Sequence, residues 1–171
     1  MKYLLPFTLL LTNLHAEIPK IDSFEADFTQ TIVSDKGNEL HYYGHVLAAK
    51  PQYALWQYLK PVVKEIYITK RNVTIIEPEI EQVIIRNIHN NFDFFSLMQT
   101  AKEIKKDTYI TILKDIKYTI KIQNNNIASI SYKDEFENSV IITFEKQSQN
   151  GEVDLKVFSP IIPLEYDIIQ E

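Results

Sequence analysis

Apolar and polar residues alternate along most of this chain, in short runs that turn residues separate. Residues 24–33 fit two periods, because Phe24 and Phe28 lie on one face of an alternating strand and also at helical spacing. We favour the strand. The polar group at residues 34–38 then makes a turn, and residues 39–49 alternate again as the return strand of a β-hairpin.

The same alternation predicts further short strands, each bounded by a proline or a polar turn. They lie between Pro51 and Pro61 and at residues 65–69, 73–77, 81–86, 109–113, 116–122, 127–132, 139–146 and 153–158. One segment, residues 92–105, changes to a spacing of three and four and predicts a helix that carries Phe94, Leu97 and Met98. Roughly ten or eleven short strands are more than one small flat sheet can contain. We therefore predict a mainly β fold of the α+β class, with a strongly curved antiparallel sheet or incomplete β-barrel.

The first sixteen residues have the order of a secretory signal peptide. Lys2 gives a basic start, residues 3–11 are largely apolar, and Ala16 is a small residue at the cleavage position. The apolar run is far below the roughly 20 residues of a membrane-spanning helix, so an uncleaved anchor is the weaker alternative. We predict cleavage after Ala16 and a single domain at residues 17–171, which is an ordinary length for one domain.

Composition then limits the cellular compartments and the classes of partner that we expect. The chain has no cysteine, which excludes disulfides, zinc–thiolate sites and the lipidated cysteine of a bacterial lipoprotein. An exported protein without that anchor is expected in the periplasm, with secretion through a further membrane as the alternative. The net charge is −5 and becomes more negative without Lys2. A nucleic acid is therefore not an expected partner.

The residues that could carry chemistry do not form a catalytic motif. His41 and His45 share a strand face but lie about 13 Å apart at the usual rise per residue, too far to hold one metal ion. The acidic group at residues 134–137 lacks the spacing of a calcium loop, and the glutamates at residues 77–81 have no partner motif for glycoside hydrolysis. No nucleophile elbow or phosphate loop is present. We predict no enzyme, no metal and no cofactor.

Aromatic and aliphatic side chains are abundant for a domain of this size, with nine Phe, ten Tyr and one Trp. An ordinary core explains most of them. The alternative is that the curved sheet and the helix enclose a cavity that their own side chains do not fill. Such a cavity would suit an apolar ligand. Composition leaves both interpretations open.

Four motifs occur in an order that resembles one family. They are Phe24-x-Ala26-x-Phe28-x-Gln30, then Gly44 followed by Lys50-Pro51, then Trp56-x-Tyr58-x-x-Pro61, and Glu77-Pro78-Glu79-Ile80-Glu81-Gln82-Val83. The ordered set resembles the LolA family of periplasmic lipoprotein carriers, closely over residues 21–86 and loosely beyond, to the segment Phe158-Ser159-Pro160. The resemblance implies an incomplete barrel closed by a helical lid over an apolar cavity.

The resemblance also implies a function and its partners. LolA-like proteins take acylated lipoprotein cargo from an inner-membrane lipoprotein-releasing ABC transporter and carry it to an outer-membrane acceptor, which is LolB-like or unknown. Because LolB is itself lipid-anchored, a chain without cysteine resembles the soluble, monomeric carrier. The alternative is a LolA-like module that binds another lipid or senses lipoproteins in envelope stress signalling.

Site residues follow from the same resemblance. Lys50 stands where the family usually has an arginine that is thought to hold the lid closed, and lysine lacks its planar fork of donors. The stretch before Phe24 is too short for the usual N-terminal helix, so the lid is expected to rely on residues 92–105. The side chains expected to line the acyl cavity are Trp56, Tyr58, Ile66, Ile68, Ile75, Phe94, Leu97 and Met98.

Overall fold

The computed structural model describes residues 18–87 and 94–170, and these fold around one twelve-stranded sheet. The helix α1 spans Phe94–Thr100, and short 3₁₀ turns lie at Pro78–Ile80 and Leu155–Phe158. Within the described ranges, no helix has the length and apolar character needed to cross a membrane. The strands are β1 Ser23–Val33, β2 Glu39–Ala49, β3 Tyr53–Lys60, β4 Lys64–Ile68, β5 Asn72–Glu77, β6 Gln82–Asn87, β7 Lys102–Lys105, β8 Thr108–Leu113, β9 Ile116–Gln123, β10 Asn126–Lys133, β11 Ser139–Gln149 and β12 Asp167–Gln170.

The sheet consists of two meanders, β1–β6 and β7–β11, that join where β1 pairs with β11, and it curls strongly without closing. Its order is β12-β6-β5-β4-β3-β2-β1-β11-β10-β9-β8-β7, antiparallel except where β12 pairs parallel to β6. Trp56 on β3 and Phe144 on β11 are three strand spacings apart, about 14 Å on a flat sheet. Their ring centroids are 6.4 Å apart. The sheet is therefore an incomplete barrel, as the alternating pattern predicted.

The concave face holds the main core, and α1 lies inside it. The Phe94 ring stacks on Phe24 of β1 with centroids 5.0 Å apart, and Phe24 meets Phe144 edge to face at 5.1 Å. We call the end of the sheet where β1 begins the helix end. It lies opposite the turn at residues 34–38. The helix thus covers one end of the concavity.

The convex face of β3–β6 has a second, separate core. Leu55, Tyr67, Ile76 and Val83 point outward and are covered by Phe158 and its neighbours in the C-terminal segment. Phe158 is 1% exposed and stacks on Tyr53, with centroids 5.4 Å apart. The segment then turns back and pairs with β6 as β12.

Two predicted elements were wrong in part or in whole. The helix predicted to reach Lys105 ends at Thr100, where the Thr100 hydroxyl donates to the Ser96 carbonyl and meets Thr111 of β8. Residues 102–105 form β7 because they pair with β8, and a four-residue strand shows little period of its own. Residues 92 and 93 of the predicted helix, and the predicted signal peptide at residues 1–16, lie outside the described ranges.

The strand predicted at residues 153–158 is a 3₁₀ turn instead. The Asp154 carboxylate accepts a hydrogen bond from the Lys156 backbone N–H at 3.0 Å, which caps the turn. The preceding strand β11 offers this segment no free edge, because it already pairs with β1 and β10. The strand β12 was not predicted, because its four residues do not alternate. The other predicted strands are confirmed, with small shifts at their ends.

Candidate functional site

A cavity of about 200 Å³ lies in the concave face of the sheet, between β3–β4 on one side and β9–β11 on the other. α1 closes it at the helix end. Six residues from the sequence prediction line it: Trp56, Tyr58, Ile66, Ile68, Phe94 and Leu97. Eight further lining residues come from other positions: Gln30, Gln52, Tyr53, Ala54, Tyr118, Ile130, Tyr132 and Ile142.

Strand register explains the wall formed by β3 and β4. Trp56 is opposite Ile66, and Ala54 is opposite Ile68, so the four side chains share the concave face. Ala54 is small and 3% exposed. Its missing bulk leaves open space between the larger side chains around it.

The two remaining predicted lining residues lie elsewhere. Met98 is buried on the other side of α1 from Leu97, where it lines a groove with Phe95 and Lys50. Ile75 pairs with Ile66 from β5 and is half-buried, but it is not among the described residues that line the cavity. α1 therefore separates the cavity from the groove, because Phe94 and Leu97 line the cavity whereas the next residue after each of them lines the groove.

Lys50 contacts both elements that border the groove. Its Nζ donates to Asp22 Oδ1 at 2.6 Å and lies 5.9 Å from the centroid of the Phe95 ring on α1. The backbone reinforces this contact, because Lys50 N donates to the Asp22 carbonyl at 2.9 Å. The hydrogen bond from Lys50 lowers the pKa of Asp22 below its usual value. One ammonium thus joins the N-terminal segment to the helix across the groove.

The opposite end of the cavity, which we call the tyrosine end, is formed by Tyr42, Tyr58, Tyr118 and Tyr132 around Gln30. The Tyr58 hydroxyl donates to Gln30 Oε1 at 2.9 Å. Burial, and then the nearby Tyr132 and Tyr42 hydroxyls, raise the pKa of Tyr58, so it stays a neutral donor. The Tyr118 and Tyr132 rings pack with centroids 5.0 Å apart.

The ionisable groups that the sequence singled out lie away from the cavity. On the convex face, His45 contacts Asp27 at 3.0 Å and Glu25 at 3.2 Å, and His41 contacts Thr31 at 3.1 Å. The part of the chain that the structure describes contains no group of three or more His, Asp or Glu placed to hold a metal ion. These side chains bind one another rather than a common ligand.

The acidic turn at residues 134–137 also has a structural role. Asp134 Oδ1 accepts hydrogen bonds from the backbone N–H groups of Phe136 and Asn138, each at 2.9 Å. The Asn138 side chain donates to its other oxygen, and these bonds lower the pKa of Asp134. The carboxylate therefore caps the β10–β11 turn.

One polar residue that sequence reasoning missed had a readable signal. Gln30 occupies an inward position of β1, in register with Phe24 and Phe28, where an apolar residue is the rule. A polar side chain at such a position marks a hydrogen-bonding feature of the interior. For Tyr118, Ile130, Tyr132 and Ile142, periodicity gives the face, but only the curvature of the sheet brings that face opposite β3.

Comparison with known proteins adds an independent finding. The sequence model of the family described as outer membrane lipoprotein carrier protein LolA matches residues 19–118. An outer-membrane lipoprotein carrier protein of Campylobacter jejuni subsp. jejuni is 41% identical over 169 residues, with 99% of each chain covered. Proteins of the same name from Wolinella succinogenes and Helicobacter hepaticus are 32% identical over 91% of each chain, and 31% identical over 99% of this chain and 95% of that one.

A solved structure is similar in fold. The crystal structure of an uncharacterized conserved protein from Thermus thermophilus superposes with a TM-score of 0.55, over 87% of this chain and 90% of that chain. The identity is 10%, so this likeness concerns the fold alone. The sequence likeness, in contrast, runs along nearly the whole chain.

Proposed function

The chain belongs to the LolA family of outer membrane lipoprotein carrier proteins, and from that premise we propose that it carries acylated lipoproteins by burying their acyl chains in the cavity of its concave face. It acts as a chaperone and not as an enzyme. The observation that carries this proposal is the cavity itself, which is lined by Trp56, Ile66, Ile130 and other apolar side chains and is covered by one short helix.

The cavity is smaller than its proposed cargo requires. Ligand pockets for small molecules usually hold about 300–1,000 Å³, whereas this one holds about 200 Å³. We therefore propose that α1 moves outward to enlarge the cavity when an acyl chain enters. Movement of α1 would join the cavity to the groove behind Met98, because the helix is the partition between them.

Lys50 is placed to control that movement. Its contacts to Asp22 and to the Phe95 ring cross the line along which α1 would separate from the N-terminal segment. Both groups of the ion pair are partly exposed, so the contact is weak enough to break when cargo binds. We propose that Lys50 is a latch that favours the closed, empty carrier and thereby assists release.

Physical chemistry explains why such a carrier works between two membranes. Each buried CH₂ group contributes about 0.8 kcal/mol, so a lipoprotein with several acyl chains escapes into water extremely slowly. We propose that residues 1–16 direct export and are removed, that the mature chain works in the periplasm, and that cargo arrives from an inner-membrane ABC transporter. An outer-membrane acceptor, LolB-like or of another kind, then receives it.

A cavity-filling variant tests the proposal. We expect Ala54→Phe, and to a smaller degree Ala54→Leu, to occupy the space between Trp56 and Ile68 and so to reduce bound lipoprotein. The matched control is Leu59→Phe, which adds bulk to the same strand at a side chain that is 60% exposed. Each variant is purified from the periplasm of its native host and its bound lipoprotein is measured by mass spectrometry, with thermal unfolding as the check of folding. Equal cargo on Ala54→Phe and Leu59→Phe would refute the cavity as the binding site.

A further inference from the structure

The tyrosine end of the cavity holds hydrogen-bond donors that have no acceptor within the described ranges. Gln30 accepts the Tyr58 proton at Oε1, and its amide NH₂ therefore keeps two N–H groups. Neither that NH₂ nor the Tyr132 hydroxyl bonds to another residue of the described chain. Both side chains are half-buried and line the cavity.

The surroundings of these donors favour an acceptor oxygen. Lys64 Nζ lies 4.6 Å from the centroid of the Tyr58 ring and 5.7 Å from that of Tyr42. No Asp or Glu is among the lining residues of the cavity in the described part of the chain. An oxygen atom placed here meets the Gln30 and Tyr132 donors, with the Lys64 ammonium beside Tyr58 and the Asp134 carboxylate on the side of Tyr132, whereas a second N–H donor would find no acceptor among the lining residues that the structure describes.

The wall between this end and α1 is apolar, apart from Gln52 at the helix end. Trp56, Ile66 and Ile130 line it, and Phe94 and Leu97 of α1 close it. A ligand that fits the whole cavity has a hydrocarbon chain on one side and an oxygen acceptor on the other. Placing a chain end against unpaired donors instead would leave those donors without water or partner, which is unfavourable.

We propose that the tyrosine end is a subsite for the carbonyl oxygen of an acyl group, which Gln30 Nε2 and the Tyr132 hydroxyl bind. The hydrocarbon chain then runs along Trp56 toward α1, so the cavity gives its ligand a fixed direction. The inference rests on the proposed function, since it concerns how the same cavity orients an acyl chain. The carbonyl can come from an acyl ester, as on a lipoprotein, or from the carboxylate of a free fatty acid.

The test uses the full chain and three probes that share one chain length: decanoic acid, methyl decanoate and decane. Each probe displaces the uncharged fluorophore N-phenyl-1-naphthylamine, and its affinity is measured for wild type and for Gln30→Leu and Tyr132→Phe. A net hydrogen bond corresponds to about a 2- to 10-fold change in affinity. We expect each variant to weaken the carbonyl probes by that factor and to leave decane unchanged or tighter. Tyr43→Phe, at an exposed tyrosine on the convex face, is the matched control.

The outcomes separate the subsite from the cavity as a whole. Weaker binding of both carbonyl probes supports an ester ligand, and weaker binding of decanoic acid alone supports a free fatty acid. Equal weakening of all three probes, or no change for any, overturns the subsite while acyl binding stands. If wild type binds none of the probes, acyl binding in this cavity is itself refuted. Gln30→Leu also removes the acceptor of the Tyr58 hydroxyl. If the two variants give different results, the result for Tyr132→Phe therefore decides.

Discussion

Gly44 is the position where a single added carbon should do the most damage to the cavity wall. Gly44 on β2 is opposite Phe28 on β1. A Cβ atom there would overlap the Gln57 carbonyl oxygen and lie 2.7 Å from Cε1 and Cζ of the Phe28 ring. Real Cβ atoms do not approach so closely, so Gly44→Ala must displace the ring, the backbone of β3, or both.

The loss of unfolding free energy in Gly44→Ala depends on how tightly the Phe28 ring and the β3 backbone are packed. Phe28 lies 5.1 Å, centroid to centroid, from both Trp56 and Tyr58, so its ring can move only by disturbing the cavity wall. Overpacking of this kind costs about 1–3 kcal/mol, and a weakened β2–β3 hydrogen bond adds about 1 kcal/mol. Alanine recovers about 0.5–1 kcal/mol of strand stability relative to glycine. We expect a net loss of about 1–3 kcal/mol.

Urea unfolding measures this loss directly. The single tryptophan, Trp56, reports on the site because it touches Phe28. With a slope of about 1–3 kcal/mol per molar urea, the midpoint should fall by about 1 M. Gly151→Ala is the matched control, since its Cβ would meet its nearest described neighbour, Ser148 Oγ, at an ordinary 3.6 Å. A Gly44→Ala midpoint equal to that of Gly151→Ala would show the argument to be wrong.

Three further predictions follow from the site and its charges. Lys50→Leu should retain lipoprotein and transfer less of it to outer-membrane vesicles than wild type does, whereas Lys50→Arg should transfer normally; equal transfer by both variants would exclude a latch. Burial raises the pKa of Tyr58 and Tyr132 above the usual 10.0, so their share of stability is present below about pH 10 and is lost as the pH rises; Tyr58→Phe should flatten the alkaline fall in the urea midpoint, and an unchanged slope would contradict this. Hydrogen bonds from Asn138 hold the pKa of Asp134 below 3.8, so its contribution is present above pH 3.8 and is lost as the pH falls further; the gap in unfolding free energy between wild type and Asp134→Asn should close in acid, and a constant gap would count against the capping role.

The sequence predicted the strands well because one face of each strand is buried. At β3, alternation alone placed Trp56 and Tyr58 on the same face, and the structure puts that face toward the cavity. The same rule failed for β7, which is too short to show a period and exists because β8 offers it an edge. It failed again at residues 153–158, where Phe158 is buried by packing on the outer core without joining a strand.

The cavity was harder to predict because it depends on distance between strands far apart in sequence. Alternation identifies Tyr132 and Ile142 as inward-facing, but it does not say that the sheet curls until they stand opposite Trp56. Met98 shows the same limit within the helix. Helical spacing groups it with Leu97, whereas the position of α1 in the concavity turns the two side chains to different spaces.

The second core on the convex face resolves a conflict between binding and stability. A sheet that keeps an unfilled cavity loses packing on the concave side of β3 and β4, and cavities destabilise roughly in proportion to their volume. The outward side chains Leu55 and Tyr67 of these same strands are 8% exposed each, because Phe158 and the C-terminal segment cover them. The stability gained by burial on the convex side thus offsets the stability lost through missing packing on the concave side. The two strands that border the cavity are therefore held from the convex side and would keep their shape in the proposed movement of α1, as repeated loading and emptying of the cavity requires.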